Sequence, residues 1–552
     1  MMRTSRRAFL RQSGLATGAM CLTPHDVAVG AAGGDVRQTL NPWRLEPVDL
    51  RRFIRLGVEH IYQGAVNRRR ECLPFLRFNL TSPPTWARHE YWSSPHMTGR
   101  FLDALALCAD VVDVPHDEEV IDGLRKLLHD CLDNPMQLPF ESLPDPQGRE
   151  SADMATCREV LLGLVGLWTW RECEQSKTLA RRLVRAMDKA TRDTGLYPAK
   201  TLYENGWGKP EPGWVNNTTG RAIGALTAYY RATGDELAID LARRFADTNI
   251  KLTFTSEGQL TEDSGTHLHS TEGTMASILD LGVLTQDQRY LEFGKRIYDV
   301  GLKPWRTSYG WAKESRNHEM GRGEANNTGD FIEAALTLAF NGHPETFADA
   351  ERFIRNALLA SQVVATDWIP QSDETDTNDY AYSDIRNRAR GAFAFTTPNG
   401  YDSYNTDLMG GSLRALCKAY HASVTGSPED ARINMCFSTD APWGTVRSSL
   451  PAQGQIQIRT LQPQKLFVRL PEGISEQAIT LRVAGKPRPA MCNGSELVIG
   501  DVPAKSDTRI SFDLPRRTTQ ESAPGYEEPF EIEWAANTIV AMRPAEGKIA
   551  LY

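Results

Sequence analysis

Ala222-Ile-Gly-Ala-Leu226-Thr-Ala-Tyr-Tyr230-Arg-Ala-Thr-Gly234-Asp235-Glu-Leu-Ala238-Ile-Asp-Leu241-Ala-Arg-Arg-Phe245-Ala246 is an apolar stripe at helical spacing, a Thr-Gly-Asp break, and a second stripe. Gly ends a helix because it alone adopts the left-handed cap without strain, and Asp restarts one by accepting from the free N–H groups of the next first turn. The same pattern returns with a stripe to Leu284, a break at Thr285-Gln286-Asp287 and a second stripe through Tyr290, Phe293 and Ile297-Tyr298. It returns again as Phe331 to Phe340, Asn341-Gly342-His343-Pro344, and Ala348 to Leu359. The breaks at 233, 285 and 341 lie 52 and 56 residues apart, and a further stripe from Leu408 ends near Thr425-Gly426-Ser427.

A period near 50 with two helices per unit predicts an array of α-hairpins. Further helical stretches at 48–66, 97–113, 117–132, 154–172 and 175–192 bring the total to about a dozen. One hairpin cannot bury its apolar faces, so the units must stack into an open solenoid or a closed toroid. The connectors 194–216, 251–270, 302–325 and 362–406 favour the toroid. They are long, rich in Gly, Trp, Asn, Thr and charge, and they fall on one rim, where long loops are usually functional. The predicted fold is mainly α: an (α/α)6 barrel, the six-hairpin toroid, over 35–428. After Pro428 the text alternates apolar and polar residues, as in Ile456-Gln-Ile-Arg459 and Leu466-Phe-Val-Arg-Leu470, which predicts a C-terminal antiparallel β-sandwich over 429–552.

Residues 1–34 read as an address. Arg6-Arg7 is followed by Phe9-Leu10, a mild apolar stretch from Gly14 to Leu22, and small residues at Val29-Gly-Ala-Ala32. This is the pattern of a twin-arginine export signal, so the expected partner is the twin-arginine export machinery and the expected location periplasmic or secreted. The segment carries four Arg and one Asp, so its removal takes the net charge from −8 to −11. A mildly acidic chain is not a nucleic-acid scaffold, and no run of ~18 apolar residues predicts a membrane span. The eight remaining Cys are scattered with no Cys-x-x-Cys pair, which is neither a disulfide framework nor a zinc finger.

Candidate chemistry lies in the rim connectors. Glu314, His318, Glu319, Arg322 and Glu324 fall within twelve residues, just before a helix start. Two carboxylates held across a sugar act as acid and as nucleophile or base. On this reading Arg322 and the helix N-terminus hold the charge of Glu324, while the Trp311 indole desolvates Glu314 against the opposing pull of Lys313. His267, His269 and Glu272 open the helix that follows; His-x-His is a metal-ligand spacing, but no third ligand is near in sequence. Asn217, Arg221 and their neighbours in Asn216–Arg221 are amide-rich and suit sugar hydroxyls. Trp207, Trp214, Trp305 and Trp311 sit in polar connectors as sugar-stacking candidates. The acidic run Asp373–Asp379 lacks the spacing and Gly of an EF-hand and reads better as a solvated loop than as a calcium site. No Gly-x-Ser-x-Gly elbow, P-loop or dinucleotide fingerprint occurs.

Several stretches together resemble the β-L-arabinofuranosidase family of glycoside hydrolases, family 127 and related domains. They are His267-Leu-His-Ser-Thr-Glu-Gly273, Thr285-Gln-Asp-Gln-Arg-Tyr-Leu291, Gly323-Glu-Ala-Asn-Asn-Thr-Gly329, Ala348–Gln362, Phe395-Thr-Thr-Pro-Asn-Gly400 and Leu466-Phe-Val-Arg-Leu-Pro471. The resemblance spans roughly 210–510 and implies the same barrel-and-sandwich fold. It also implies a zinc site built from Glu-x-Cys and Cys-Cys-Pro, one of whose thiolates is the nucleophile. Here Glu324 matches the Glu, but Asn326, Thr396 and Thr397 stand at the Cys positions, followed by Pro398-Asn399. Neither Asn nor Thr replaces a thiolate on zinc. The expectation is therefore a divergent member with no metal, no cofactor and no cysteine nucleophile. Glu314 and Glu319 are the nearest candidates for its acid/base, and Asn326, Thr397 and Asn399 line the substrate site.

The resulting expectation is an exported glycosidase acting on an oligo- or polysaccharide of plant or algal cell-wall type. A polysaccharide lyase is the alternative, with Arg322, Arg316 or Arg221 neutralising a uronate and His269, His318 or a Tyr removing a proton. A non-catalytic glycan-binding protein is the third reading, and a sugar isomerase or epimerase takes part of the remainder.

Overall fold

The computed structural model describes residues 38–40, 42–90, 94–140, 152, 154–197, 213–317, 320–427 and 429–552. The export-signal residues 1–34, Trp207, His318 and Glu319 lie outside them. The helices pair as expected. We label them α1 (Leu50–Gln63), α2 (Ser94–Cys108), α3 (Glu118–Asp130), α4 (Cys157–Arg171), α5 (Glu174–Thr191), α6 (Arg221–Thr233), α7 (Glu236–Thr253), α8 (Leu268–Thr285), α9 (Gln288–Arg296), α10 (Ala325–Phe340), α11 (Thr346–Phe353) and α12 (Leu408–Ser423).

The even-numbered helices form the inner ring. Each packs on the next, and α12 packs back on α2, so the toroid closes. α1 comes from the chain start to lie outside α12 and complete the sixth hairpin. The breaks do what their residues dictate. Asp117, Asp235 and Asp287 accept from backbone N–H groups in the first turns of α3, α7 and α9, and Gly234 caps α6 at φ +68°. Crossing helices need small residues where they touch. A Cβ on Gly99 of α2 would lie 2.2 Å from the Glu159 carbonyl oxygen of α4, so α2 and α4 approach backbone to backbone. At the closing seam the free thiols of Cys108 and Cys417 lie 3.4 Å apart.

The connectors at one end of the ring are tied into a six-stranded sheet of short strands. Its order is Gly323–Glu324, Phe395–Thr397, Gly400–Asn405, Arg77–Asn79, Trp86–Arg88 and Tyr380–Ala381. Strands this short carry no readable alternation, so the sequence shows them only as loops. Asp376 of the acidic run is spent inside its own loop, accepting from the Tyr382 and Ser383 backbone.

After α12 a five-stranded and a six-stranded sheet enclose one apolar core, including Val446, Ile458, Leu466, Val468 and Ile510. Pairing is antiparallel except between Asp430–Ile433 and Gln464–Arg469, which run parallel. The expected boundary needs correcting at its end, because the sandwich does not extend to 552. Arg516–Glu521, Phe530–Ala535 and Thr538–Arg543 form a separate three-stranded sheet. Its Phe530, Ile532, Trp534, Ile539 and Met542 pack on Tyr309, Trp311 and Ala357 of the barrel. Ile549–Ala550 then pairs in parallel with Gln38–Thr39, which brings the described chain ends together. Among the described residues no helix is long and apolar enough to cross a membrane.

Candidate active site

Polar side chains from the N-terminal halves of the inner helices converge. His96 and Arg100 come from α2, Glu159 from α4, Arg221 from α6, His269 and Glu272 from α8, and Asn326 and Asp330 from α10. The rim sheet and the connector ahead of α10 cover them. In that connector Lys313 pairs with Gly323, and the Glu314 amide donates to the Arg322 carbonyl at 3.0 Å. Glu314 and Arg322 are thereby neighbours across a narrow hairpin that delivers Glu324 to the start of α10. The α8 entrance is laced to the same hairpin, since the Leu268 amide donates to the Glu314 carbonyl at 2.9 Å.

Arg322 clamps Glu314 with two N–H groups, Nε on Oε2 and Nη2 on Oε1, the latter at 3.2 Å. It also donates to Ser403 and stacks 4.2 Å over Phe395. Glu314 is half-buried, and its carboxyl is raised above the ordinary range. Burial is the main cause, the Glu324 charge adds to it, and Arg322 only partly offsets them. Glu324 is buried. Burial alone would raise its carboxyl, but His267, Arg100 and the Asn326 amide hold it below. Its Oε1 accepts from Asn326 Nδ2 at 3.1 Å and lies 3.5 Å from His269 Nδ1, and its Oε2 lies 3.8 Å from His267 Nε2.

Below this layer Glu159 accepts from Arg221 and, at 3.1 Å, from Arg158, and it pairs with Arg100 at 3.2 Å. Burial would raise its carboxyl, but Arg221, His96, Arg100 and Arg158 outweigh that and hold it far down. Asp330 lies 3.4 Å from His269 Nε2, and burial pushes its carboxyl up to about 7. Burial and the Glu324 charge likewise push Asp407 up to about 6. Glu272 is fully buried, neither of its carboxyl oxygens has a hydrogen-bond partner, and burial, with the Asp330 and Glu324 charges beside it, pushes its carboxyl well above the ordinary range.

The structure brings Glu314, Glu324, His267, His269, Glu272, Arg221, Asn217, Arg322 and Asn326 together, but several roles differ from expectation. Arg322 pairs with Glu314 rather than Glu324. Lys313 is buried and donates to the Asn317 carbonyl, so it does not oppose Glu314. Trp311 is core: its indole donates to the Thr396 carbonyl at 3.0 Å. It backs onto Gly323, where a Cβ would lie 2.7 Å from its Nε1. Trp214 and Trp305 are half-buried and lean on the barrel core. Asn399 is fully buried and binds the chain end, donating to the Met542 and Pro544 carbonyls and accepting from the Tyr552 amide. Thr397 closes the turn to Gly400. Asn326 is fully buried and positions Glu324 instead of meeting a sugar. Arg221 is spent on Glu159 and Asn217, and Arg316 on the Thr261 and Gly265 carbonyls and Ser264. Each arginine named for neutralising a uronate is thus already engaged.

Glu159, Arg100, His96, Asp330 and Asp407 went unnamed in the sequence reading. Their signal was polar residues four apart at the start of apolar helices: His96 with Arg100, and Asn326 with Asp330. The zinc-thiolate set that the resemblance implies does not fit, because the Asn326 amide is tied to Glu324 and the Asp407 carbonyl. Thr396 and Thr397 supply no thiolate. A different donor set is present. His267, His269 and Glu324 each bring one ligand atom within 4.8 Å of the others. The third ligand that the His-x-His lacked comes from a connector 55 residues downstream of His269.

Residues 153–375 match the family described as beta-L-arabinofuranosidase, GH127 catalytic domain. Among solved structures, a GH127 β-arabinofuranosidase aligns with a TM-score of 0.58 at 12% identity, over 91% of this chain and 82% of its own. A GH127 β-L-arabinofuranosidase from Geobacillus stearothermophilus T6 aligns at 0.53 and 10% identity, over 88% and 80%. A further glycoside hydrolase aligns at 0.52 and 12% identity, over 86% and 84%. No curated protein matches. The chain resembles this family over its catalytic segment, shares the six-hairpin fold with its enzymes, and is of glycosidase type.

Proposed function

We propose that this glycosidase-type chain is an exported enzyme that cleaves glycans of plant or algal cell-wall type with Glu314 as its proton donor. The supporting observation is the placement of Glu314. It stands at the open end of the barrel with its side chain 13% exposed, fixed by the Arg322 fork, and faces the layer formed by Glu324, His267 and His269. A proton donor must be accessible, oriented and still protonated near neutrality. Glu314 is clamped in orientation, and its surroundings favour the neutral form. β-L-Arabinofuranosides are the first substrates to assay, because the similar enzymes carry that activity in their names. Engagement of Arg221, Arg316 and Arg322 speaks for hydrolysis over elimination. Uronic-acid glycans should therefore yield no unsaturated-uronate absorbance.

The test is Glu314→Gln on a substrate the parent cleaves. It should keep the parent's circular dichroism and sugar binding and lose at least ~10²-fold in kcat, the scale of a lost general acid. Retained turnover would remove Glu314 from the role. Export is tested apart from catalysis: replacing Arg6 and Arg7 by Lys should leave the protein in the cytoplasm.

A further inference from the structure

We propose that His267, His269 and Glu324 bind one zinc ion at the mouth of the barrel, leaving a coordination position open to the sugar site. This goes beyond the glycosidase reading and does not depend on it. It also makes Glu324 a ligand instead of a free carboxylate.

Hydrogen bonds orient the His267 imidazole. Asn217 Oδ1 accepts from Arg221 Nη1 at 3.0 Å and from Ser270 Oγ at 3.1 Å. The Ser270 proton is therefore committed, and its oxygen accepts from His267 Nδ1 at 2.7 Å. The other His267 ring nitrogen, Nε2, is aimed at Glu324 Oε2 from 3.8 Å. His269 stands between two carboxyl groups, its Nε2 3.4 Å from Asp330 Oδ2 and its Nδ1 3.5 Å from Glu324 Oε1. Two imidazoles and a carboxylate thus converge, and Glu324 Oε2 is buried without a hydrogen bond. A buried carboxylate oxygen left without a hydrogen bond is costly, and a cation held by the three groups would satisfy it.

The spacing fits zinc. Ligands at 2.0–2.1 Å on a tetrahedron lie ~3.4 Å apart. The three ligand atoms, one from each residue, lie within 4.8 Å of one another, so side-chain adjustment must draw them together around the ion. Two imidazoles and a carboxylate form the three-ligand set that keeps a fourth position free. Ser270 on His267 and Asp330 on His269 are the outer partners that orient metal-binding histidines. The fourth position opens to the mouth, because the His267 side chain is 45% exposed whereas those of His269 and Glu324 are buried.

The full chain, stripped with chelator and dialysed, is titrated with Zn²⁺ by calorimetry and with Co²⁺ by visible absorption. One equivalent per chain and the intense bands of low-symmetry four-coordinate cobalt are expected. His267→Ala, at the exposed rim, should fold normally and bind at least ~10²-fold more weakly, with Ser270→Ala ~10-fold weaker. Glu314→Gln should bind a full equivalent while losing turnover, so failure of the metal site and failure of the glycosidase reading give different results. Absence of stoichiometric binding by the parent chain, or binding unchanged in His267→Ala, would overturn the proposal.

Discussion

His60 shows how a single buried group sets the acid limit of the fold. Its Nδ1 lies 2.6 Å from the Arg388 carbonyl, and its Nε2 meets the Tyr404 hydroxyl. Both contacts are satisfied by a neutral ring, and burial lowers its pKa from 6.5 to about 4. The sign follows from linkage: the unfolded chain binds a proton below 6.5, and the folded chain resists it down to about 4. The stability linked to His60 is complete above pH 6.5 and is lost progressively as pH falls toward 4. The loss reaches ~3 kcal/mol at ~1.4 kcal/mol per unit. Denaturant unfolding of the parent and of His60→Asn at pH 7, 6, 5 and 4.5 checks this. The variant should start less stable but show a shallower fall with acid. A parallel fall in both would mean that His60 titrates normally in the fold.

Helices carry the closest tolerances. α2 crosses α4 where Gly99 and Gly163 face each other; a Cβ on Gly163 would lie 2.8 Å from the Gly99 Cα. Gly99→Ala places its methyl against the Glu159 backbone, which is rigid helix, so α4 must move. The expected cost is ~1–3 kcal/mol of overpacking, read as a lower denaturation midpoint. Because Glu159 anchors three guanidinium groups under the site, glycosidase activity should fall further than stability accounts for at temperatures where the variant is folded. An unchanged midpoint would show that the two helices have slack. This level was the most legible in the sequence. Helical spacing, Asp caps and Gly stops mark each hairpin, because they act within a few residues of one another. The rim strands were not legible, since Gly323–Glu324 and Tyr380–Ala381 are two residues each and are defined by partners far along the chain. Trp311 misled for a similar reason: an indole amid Gly and Lys reads as exposed until the C-terminal sheet is packed over it.

At the scale of the whole molecule the chain returns on itself. Alternation in 516–543 predicts strands but not whether their apolar face meets the sandwich or the barrel, and it meets the barrel. Asn399, expected in the substrate site, and Asn356 are spent on that return. What was legible of the site was its address: Glu314, Glu324 and the His-x-His in connectors on one rim. Ring closure made it a site by bringing the first turns of the inner helices onto one axis, and no local pattern records that. The most direct test of this account is a crystal structure of Glu314→Gln soaked with an oligosaccharide that the parent cleaves. The sugar should lie at the barrel mouth, with its glycosidic oxygen within hydrogen-bond reach of residue 314 and its ring against His267 and Glu324. A sugar seated elsewhere, for instance in the 410 Å³ cavity beside Arg69, Arg388 and Asp376, with the mouth empty, would contradict it.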